Sequence, residues 1–231
     1  MLRKILAAIG LGVAASSAAA AAPPYSPYEN PAMNEIYNLL FCDDPAAYAA
    51  KPGQTPATWQ ATLASDDVAA LRSLASDTAQ EGRVRYLAFS RLRAIGQTVT
   101  PKILLGVIVE VAFDGGLDAL AAFQEGGVRY INQSGKLVVI DGVASFVPRV
   151  RHLFATAQPL VDRLGPAVEA RRAPPKAGDV RLTFLVSDGP YFGQAPADVM
   201  HDDAAAGPVM LSATQLMVAV VVAGTAPDPA E

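Results

Sequence analysis

An α+β fold, with a helical layer ahead of an antiparallel β-meander, is predicted by three features of this chain. The first is a run of four apolar, partly β-branched stretches, Lys102 to Phe113, Leu117 to Phe123, Val128 to Asn132 and Lys136 to Ile140. They are separated only by Asp114-Gly115-Gly116, Glu125-Gly126-Gly127 and Gln133-Ser134-Gly135, links whose glycines suit tight turns. Connections this short permit hairpins and exclude parallel crossovers. The second is a helical apolar period in the segment before the meander. The third is a pair of helical patterns after it, over 145–164 and 208–223, whose apolar faces call for a sheet to cover.

The N-terminal helices are readable from their caps and spacing. Asn30 followed by Pro31 opens a helix with Met33, Ile36, Tyr37, Leu40 and Phe41 on one side. A loop over 46–55 precedes a short helix carrying Trp59 and Leu63, opened by Thr55-Pro56. Ser65 is expected to cap a helix that buries Val68, Leu71, Leu74 and Ala75. From about Thr78 to Ile95, the positions Val84, Leu87, Ala88, Leu92 and Ile95 continue the pattern, with Gly96 placed as the residue after the C-cap. These two helices form an αα-hairpin.

In the first meander strand, strict alternation places Leu105, Val107, Val109, Val111 and Phe113 on one face. Leu104, Gly106, Ile108, Glu110 and Ala112 then take the other. Both faces are largely apolar, so the strand is expected to be central. After the meander, Ser145 caps a helix whose pattern runs through Val147, Val150, Phe154, Ala157, Val161 and Leu164, with a kink expected at Pro159. Residues 171–178 read as a surface loop. The strand Val180 to Val186 extends the sheet, and Tyr191 to Gln194 is a candidate short strand. The segment 208–223 is ambiguous between strand and helix, but Pro208 near its start and Gly224 beyond its end favour helix.

The first 22 residues carry a basic start (Arg3, Lys4), an apolar run (Ile5 to Ala15) and small residues (Ser16 to Ala22), the three parts of a signal peptide in the correct order. The expected organisation is therefore a leader over 1–22, a Pro-rich tether over 23–31, a helical region over 32–96, a sheet region over 97–224 joined with it into one unit, and a disordered tail over 225–231. The processed protein is expected to be soluble in the periplasm or outside the cell, with no stable membrane span. Cys42 is the single cysteine, so an internal disulfide is excluded, and its place on an apolar helix face reads as a buried thiol.

Composition narrows the function. The chain is 52% hydrophobic and 17% charged, which supplies a core, and its net charge of −4 is the opposite of a nucleic-acid footprint. No G-x-S-x-G elbow, Walker loop or G-x-G-x-x-G fingerprint occurs, so no cofactor is expected. The two histidines lack the spacing of helical metal-ligand pairs. His201-Asp202-Asp203 is the one place where imidazole and carboxylates adjoin, which makes it the candidate metal site, although adjacent residues in a turn seldom converge on one ion. The turn residues Asn132, Gln133, Ser134 and Lys136 gather amide, hydroxyl and ammonium groups at an exposed hairpin tip, a candidate contact site. Glu110 interrupts an apolar strand and must find a partner, for which Arg129 or Lys136 are the expected choices across the sheet. The resulting expectation is an exported, non-catalytic module that binds a partner protein or small ligand. The alternative is a hydrolase or isomerase that uses the isolated carboxylates Glu110 and Asp118.

Overall fold

The computed structural model describes residues 24–50 and 53–225. The expected leader, and the tail apart from its first residue, lie outside the described residues. An antiparallel sheet of six strands is covered by helices on both faces, an α+β architecture. Its strands are β1 (Leu104–Phe113), β2 (Gly116–Phe123), β3 (Val128–Ile131), β4 (Leu137–Ile140), β5 (Asp179–Val186) and β6 (Gly189–Pro196). They lie in the order β4-β3-β2-β1-β5-β6. The four-strand meander thus occupies one half, and a β5–β6 hairpin adds to its other side. The sequence supports one C-terminal strand firmly; the second is a full eight-residue strand, because Ser187 and Asp188 turn the chain back so that Gly189 already pairs with Val186 of β5.

Helices α1 (Pro31–Leu39), α2 (Thr58–Leu63), α3 (Val68–Ser76) and α4 (Gly82–Ala94) precede the sheet. Side chains of α1, α3 and α4 pack on one face, against Leu105, Ile108, Ala112, Ala119, Phe123 and Leu185. Helices α5 (Val147–Arg163), α6 (Ala197–Asp202) and α7 (Ala206–Thr225) cover the other face, against Val107, Val109, Leu120, Leu182 and Phe184. Strands β1 and β5 are therefore buried on both sides, which explains their near-continuous apolar sequences.

One irregularity in β1 sets where its side chains point. Leu104 pairs with Val186 and Gly106 with Leu185, so Leu105 is an extra residue. This bulge puts Leu104 with Val107 and Val109 on the α5–α7 face and Leu105 with Ile108 on the α1–α4 face. Strict alternation from the sequence assigns Leu104 and Leu105 the other way round. The Leu105 carbonyl accepts from the Gln124 backbone N–H at 3.2 Å, one step beyond the Gly106–Phe123 pair of β1 with β2. Gly82, the first residue of α4, is pressed against the same carbonyl: a Cβ there would stand 2.3 Å from Leu105 O.

Several helix ends differ from the sequence reading for local reasons. Asp67, not Ser65, caps α3 by accepting from the N–H groups of Ala69 and Ala70, while Asp66 is drawn away into an ion pair with Arg91. Asp77 accepts from Ala79 N–H and holds a turn, so α4 begins at Gly82 and not at Thr78. Ser145 lies inside a short 3₁₀ turn, and α5 starts at Val147. Pro159 does not split α5. The carbonyl it leaves unbonded belongs to Ala155, and both residues lie on the exposed side, where solvent satisfies it. Gly96 ends α4 as expected, with φ of 75° and the Gln97 N–H returning to Leu92 O at 2.8 Å.

The segment expected to be a tether is held against α1. Tyr25 and Tyr28 donate their backbone N–H groups to Asn38 and Asn34, whose side-chain amides donate back to the Tyr25 and Tyr28 carbonyls. Tyr28 is buried. Tyr25 and Tyr28 supply apolar surface that a solvated linker lacks.

Helix α7 starts two residues earlier than its sequence pattern suggests, because Asp203 accepts from the N–H groups of Ala205 and Ala206 ahead of Pro208. At 20 residues it is long and apolar enough, by length and composition alone, to cross a membrane, which the shorter expected helix is not. One side of it, with Val209, Met210, Leu216 and Val220, lies in the core under the sheet.

Candidate functional site

Glu110 sits near the middle of the sheet and is fully buried. It is the direct cross-strand neighbour of Arg181 on β5, and both point to the α1–α4 face. The two side chains form a two-pronged ion pair, Arg181 Nε to Oε2 at 2.7 Å and Arg181 Nη2 to Oε1 at 3.0 Å. From above, α1 brings the Tyr37 hydroxyl to Oε1 at 2.7 Å. The remaining guanidinium nitrogen of Arg181, Nη1, donates to the Arg172 carbonyl at 3.2 Å. Burial and the adjacent Glu110 charge hold the Tyr37 phenol protonated far above its ordinary range. Burial opposes the charge on Arg181, yet the hydrogen bond and charge of Glu110 keep its pKa above the ordinary value.

Arg129 and Lys136, the partners expected from the sequence, do not reach Glu110. Arg129 pairs with Asp141 across the β3–β4 edge, at 2.6 Å and 2.8 Å. The partner that matters is a lone charge in another apolar strand, Val-Arg-Leu-Thr-Phe-Leu-Val. Two apolar strands that carry opposite charges, Glu110 in one and Arg181 in the other, form the legible signal, and only the register of β1 with β5 converts it into a pair.

A second arginine extends the buried network. Arg171 lies in the segment that reads as a surface loop, yet its side chain is only 9% exposed. Its Nε donates to Asp43 at 2.6 Å and its Nη2 to Asn38 at 2.7 Å. The guanidinium stacks on Phe41, 4.2 Å from the ring centroid, with Tyr25 and Tyr37 at 5.0 and 5.6 Å. Nothing in the local sequence distinguishes Arg171 from its neighbour Arg172, because its partners come from residues over a hundred positions earlier. Among the described residues, two buried side-chain polar atoms lack hydrogen-bond partners, Tyr28 Oη and Arg171 Nη1.

Asp118, the other candidate carboxylate, lies on the opposite face of the sheet. It accepts from the Tyr130 hydroxyl at 2.9 Å and from the Gln133 backbone N–H at 2.7 Å. Burial, then the hydrogen bond to Asp118, raises the Tyr130 pKa well above the ordinary value. Both residues border a cleft beneath α7 that also touches Val109, Met210, Thr214 and Met217, with a volume of about 40 Å³. That is room for little more than one or two water molecules.

The hairpin tip is closed on itself. Asn132 Oδ1 accepts from the N–H groups of Ser134 and Lys136 and from the Ser134 hydroxyl. Gln133 is tied through its backbone to Asp118. These four residues, Asn132, Gln133, Ser134 and Lys136, thus form a turn held by its own polar groups. At the candidate metal position, His201 and Asp202 end α6 and are exposed, while Asp203 caps α7. The Ala206 and Ala205 N–H groups hold its carboxyl below the usual carboxylate range. Among the described residues, no three His, Cys, Asp or Glu side chains gather into a set able to hold a metal ion.

Compared with known proteins, the chain matches no family model, no curated protein and no solved structure. Its class therefore rests on the fold and site just described, an antiparallel sheet between two helical layers with an ion pair sealed in one core.

Proposed function

We propose that this chain is an exported, non-catalytic module that acts by contacting a partner protein. The observation that carries the reading is the state of Glu110. A carboxylate acting as a general base needs a free lone pair directed at a space that a substrate can enter. Glu110 is 0% exposed, its oxygens receive three hydrogen bonds, and its charge is neutralised by Arg181. Asp118 is committed to Tyr130 and to the β3–β4 turn. The cleft beside it is about 40 Å³, whereas small-molecule sites commonly enclose about 300 Å³ or more, which favours a protein partner over a small ligand.

Glu110→Gln tests the non-catalytic reading. In a structural pair the substitution leaves the buried Arg181 charge uncompensated, and a loss of about 3 kcal/mol in unfolding free energy is expected. A variant as stable as the parent would point to a carboxylate held in place for chemistry, since active-site charges are kept at a cost to stability. Export is tested separately. N-terminal sequencing of protein from the periplasmic or culture fraction is expected to begin between Ala19 and Pro23, and an intact Met1 on cytoplasmic protein would refute it.

A further inference from the structure

The two edges of the sheet are finished differently. Along β6 the residues whose backbone groups point outward are Pro190, Phe192, Gln194 and Pro196, because Gly189 pairs with Val186 across a two-residue turn and bonding positions alternate from there. The two prolines carry no N–H. The Pro190 carbonyl accepts from the Ala167 N–H at 2.8 Å, and the Arg172 guanidinium lies 5.1 Å from the Phe192 ring centroid. Prolines and a covering segment keep an edge strand from pairing further.

Strand β4 has neither. The Asn132 N–H donates to Lys136 O, and bonding positions alternate from that pair. Val138 and Ile140 therefore bond to β3, whereas Leu137 and Val139 turn their N–H and C=O groups away from it. Among the described residues, nothing bonds to those four groups. The strand Leu-Val-Val-Ile holds no proline and no charge, and Val139 is 46% exposed. An exposed helix side can be covered by any apolar surface. A row of outward N–H and C=O groups is matched, among protein surfaces, by another extended backbone.

We infer that the outer edge of β4 is the partner contact, and that its occupant is an extended segment of the partner protein, added antiparallel beside β4. The inference rests on the partner-contact reading above and names its surface. The two residues of the segment that face Val139 and Leu137 bond to them through the backbone. Their side chains lie beside Val139 and Leu137 on the α1–α4 face, so both are apolar. The residue between them faces Val138, where the last turn of α7 closes in: a Cβ on Gly224 would stand 2.8 Å from Val138 Cγ2. The next residue falls directly opposite Lys136, whose exposed ammonium has no partner among the described residues, and is Asp or Glu. At the other end of β4, Asp141 is already taken by Arg129 and calls for no base. The segment thus reads apolar, any residue, apolar, acidic. A second copy of β4 does not supply this pattern. Lys136 bonds inward and Asp141 lies at an outward position, so no antiparallel register that joins the outward groups of two copies sets one opposite the other.

A random peptide library displayed on phage, panned against the protein as processed by its host, tests this. Peptides with that pattern are expected to be enriched. A synthetic copy of the leading peptide should slow hydrogen exchange of the Leu137 and Val139 amides at least tenfold, roughly, while the Phe192 and Gln194 amides on the other edge keep their rates. Val139→Pro removes one outward N–H at a kind of position that tolerates proline, and should weaken peptide binding at least tenfold, roughly. Lys136→Glu, a change at an exposed turn position that the sheet does not depend on, should shift the selected fourth residue from acidic to basic. A selection that yields no binder, binders without the pattern, or binders indifferent to both substitutions overturn the inference. So do Leu137 and Val139 amides that are protected in the protein alone and released on dilution, which would assign the edge to a second copy. Each of these results moves the partner contact off β4 and leaves the non-catalytic reading to Glu110→Gln.

Discussion

Tyr28 and Tyr37 pack edge to face, their ring centroids 5.9 Å apart, and their hydroxyls have opposite circumstances. That of Tyr37 donates to the Glu110 carboxylate, whereas that of Tyr28 is buried without a partner. A bond to a charged acceptor contributes about 1.5 to 3 kcal/mol, and an unsatisfied buried hydroxyl costs about 1 kcal/mol or more. Tyr37→Phe is therefore expected to lower the unfolding free energy by about 2 kcal/mol, and Tyr28→Phe to raise it by about 1 kcal/mol. Denaturant melts of the two variants check this. The same sign for both would mean that ring packing, not hydroxyl bonding, dominates at this point.

The contact between Gly82 and the β1 bulge gives a second prediction. The first residue of α4 touches the Leu105 carbonyl so closely that a methyl group would stand 2.3 Å away, against backbone that cannot rotate aside. Gly82→Ala would gain helix propensity in an unhindered site. Here it is expected to destabilise, by about 1 to 3 kcal/mol, through the shift it forces between α4 and the sheet. A neutral or stabilising Gly82→Ala in a thermal melt would show that the bulge relaxes freely.

How much of this was readable in advance depends on the range of the interaction that decides each feature. The meander, its hairpins, the Asn30 and Gly96 caps and the final helix are settled by residues a few positions apart, and the sequence shows them. The bulge at Leu105 is not, because it arises where β1 meets β5, about eighty residues later. Glu110 was recognisable as a residue in need of a partner, but the choice of Arg181 over Arg129 belongs to sheet order, which hydrophobic alternation does not encode. Arg171 was missed entirely. Its stacking on Phe41 and its bond to Asp43 depend on the return of the chain from α5 across α1, and the Arg-Arg-Ala-Pro-Pro stretch around it has the composition of a solvated loop. Among the candidate site residues, Asn132, Ser134 and Lys136 meet within one turn, whereas Asp118 and Gln133, fifteen positions apart, meet by a backbone hydrogen bond that the hairpin positions predict only once the register of β2 with β3 is known.

That contact supports a third prediction. Asp118 ties the β3–β4 turn to β2 through Gln133 N–H and takes the Tyr130 hydroxyl at its other oxygen. Asp118→Ala should loosen the turn without unfolding the sheet. Hydrogen exchange of the Gln133 amide is expected to quicken by about tenfold or more, the equivalent of a hydrogen bond of about 1.4 kcal/mol, while amides in the centre of β1 stay protected. If the Gln133 amide exchanges at the parent rate, the turn is held by Asn132 alone.

The last prediction concerns pH. Burial pushes the Cys42 thiol up to about 12, and burial likewise pushes the Tyr86 hydroxyl up to about 12. In an unfolded chain a thiol ionises near about 8.5 and a phenol near about 10. Between those values and about 12 the folded protein retains protons that the unfolded chain has released, so the unfolded state gains relative to the folded one as pH rises. The contribution of both groups is complete below pH ~8.5 and is lost as pH climbs through the folded values. Urea midpoints measured from pH 7 to pH 11 should therefore fall steadily above pH ~8.5, with a steeper slope once the unfolded chain's tyrosines also titrate, since Tyr37 and Tyr130 are held protonated in the fold as Tyr86 is. The same protonated, buried state keeps the thiol unreactive: Cys42 is 1% exposed, and the thiolate is the reactive form. At pH 8 an aromatic disulfide reagent should label it only at the rate of unfolding, and addition of urea should release full labelling at once. Stoichiometric labelling within seconds in the absence of urea would show that the thiol lies open to solvent, and the alkaline fall in stability would then have to come from the buried tyrosines, Tyr37, Tyr86 and Tyr130 among them.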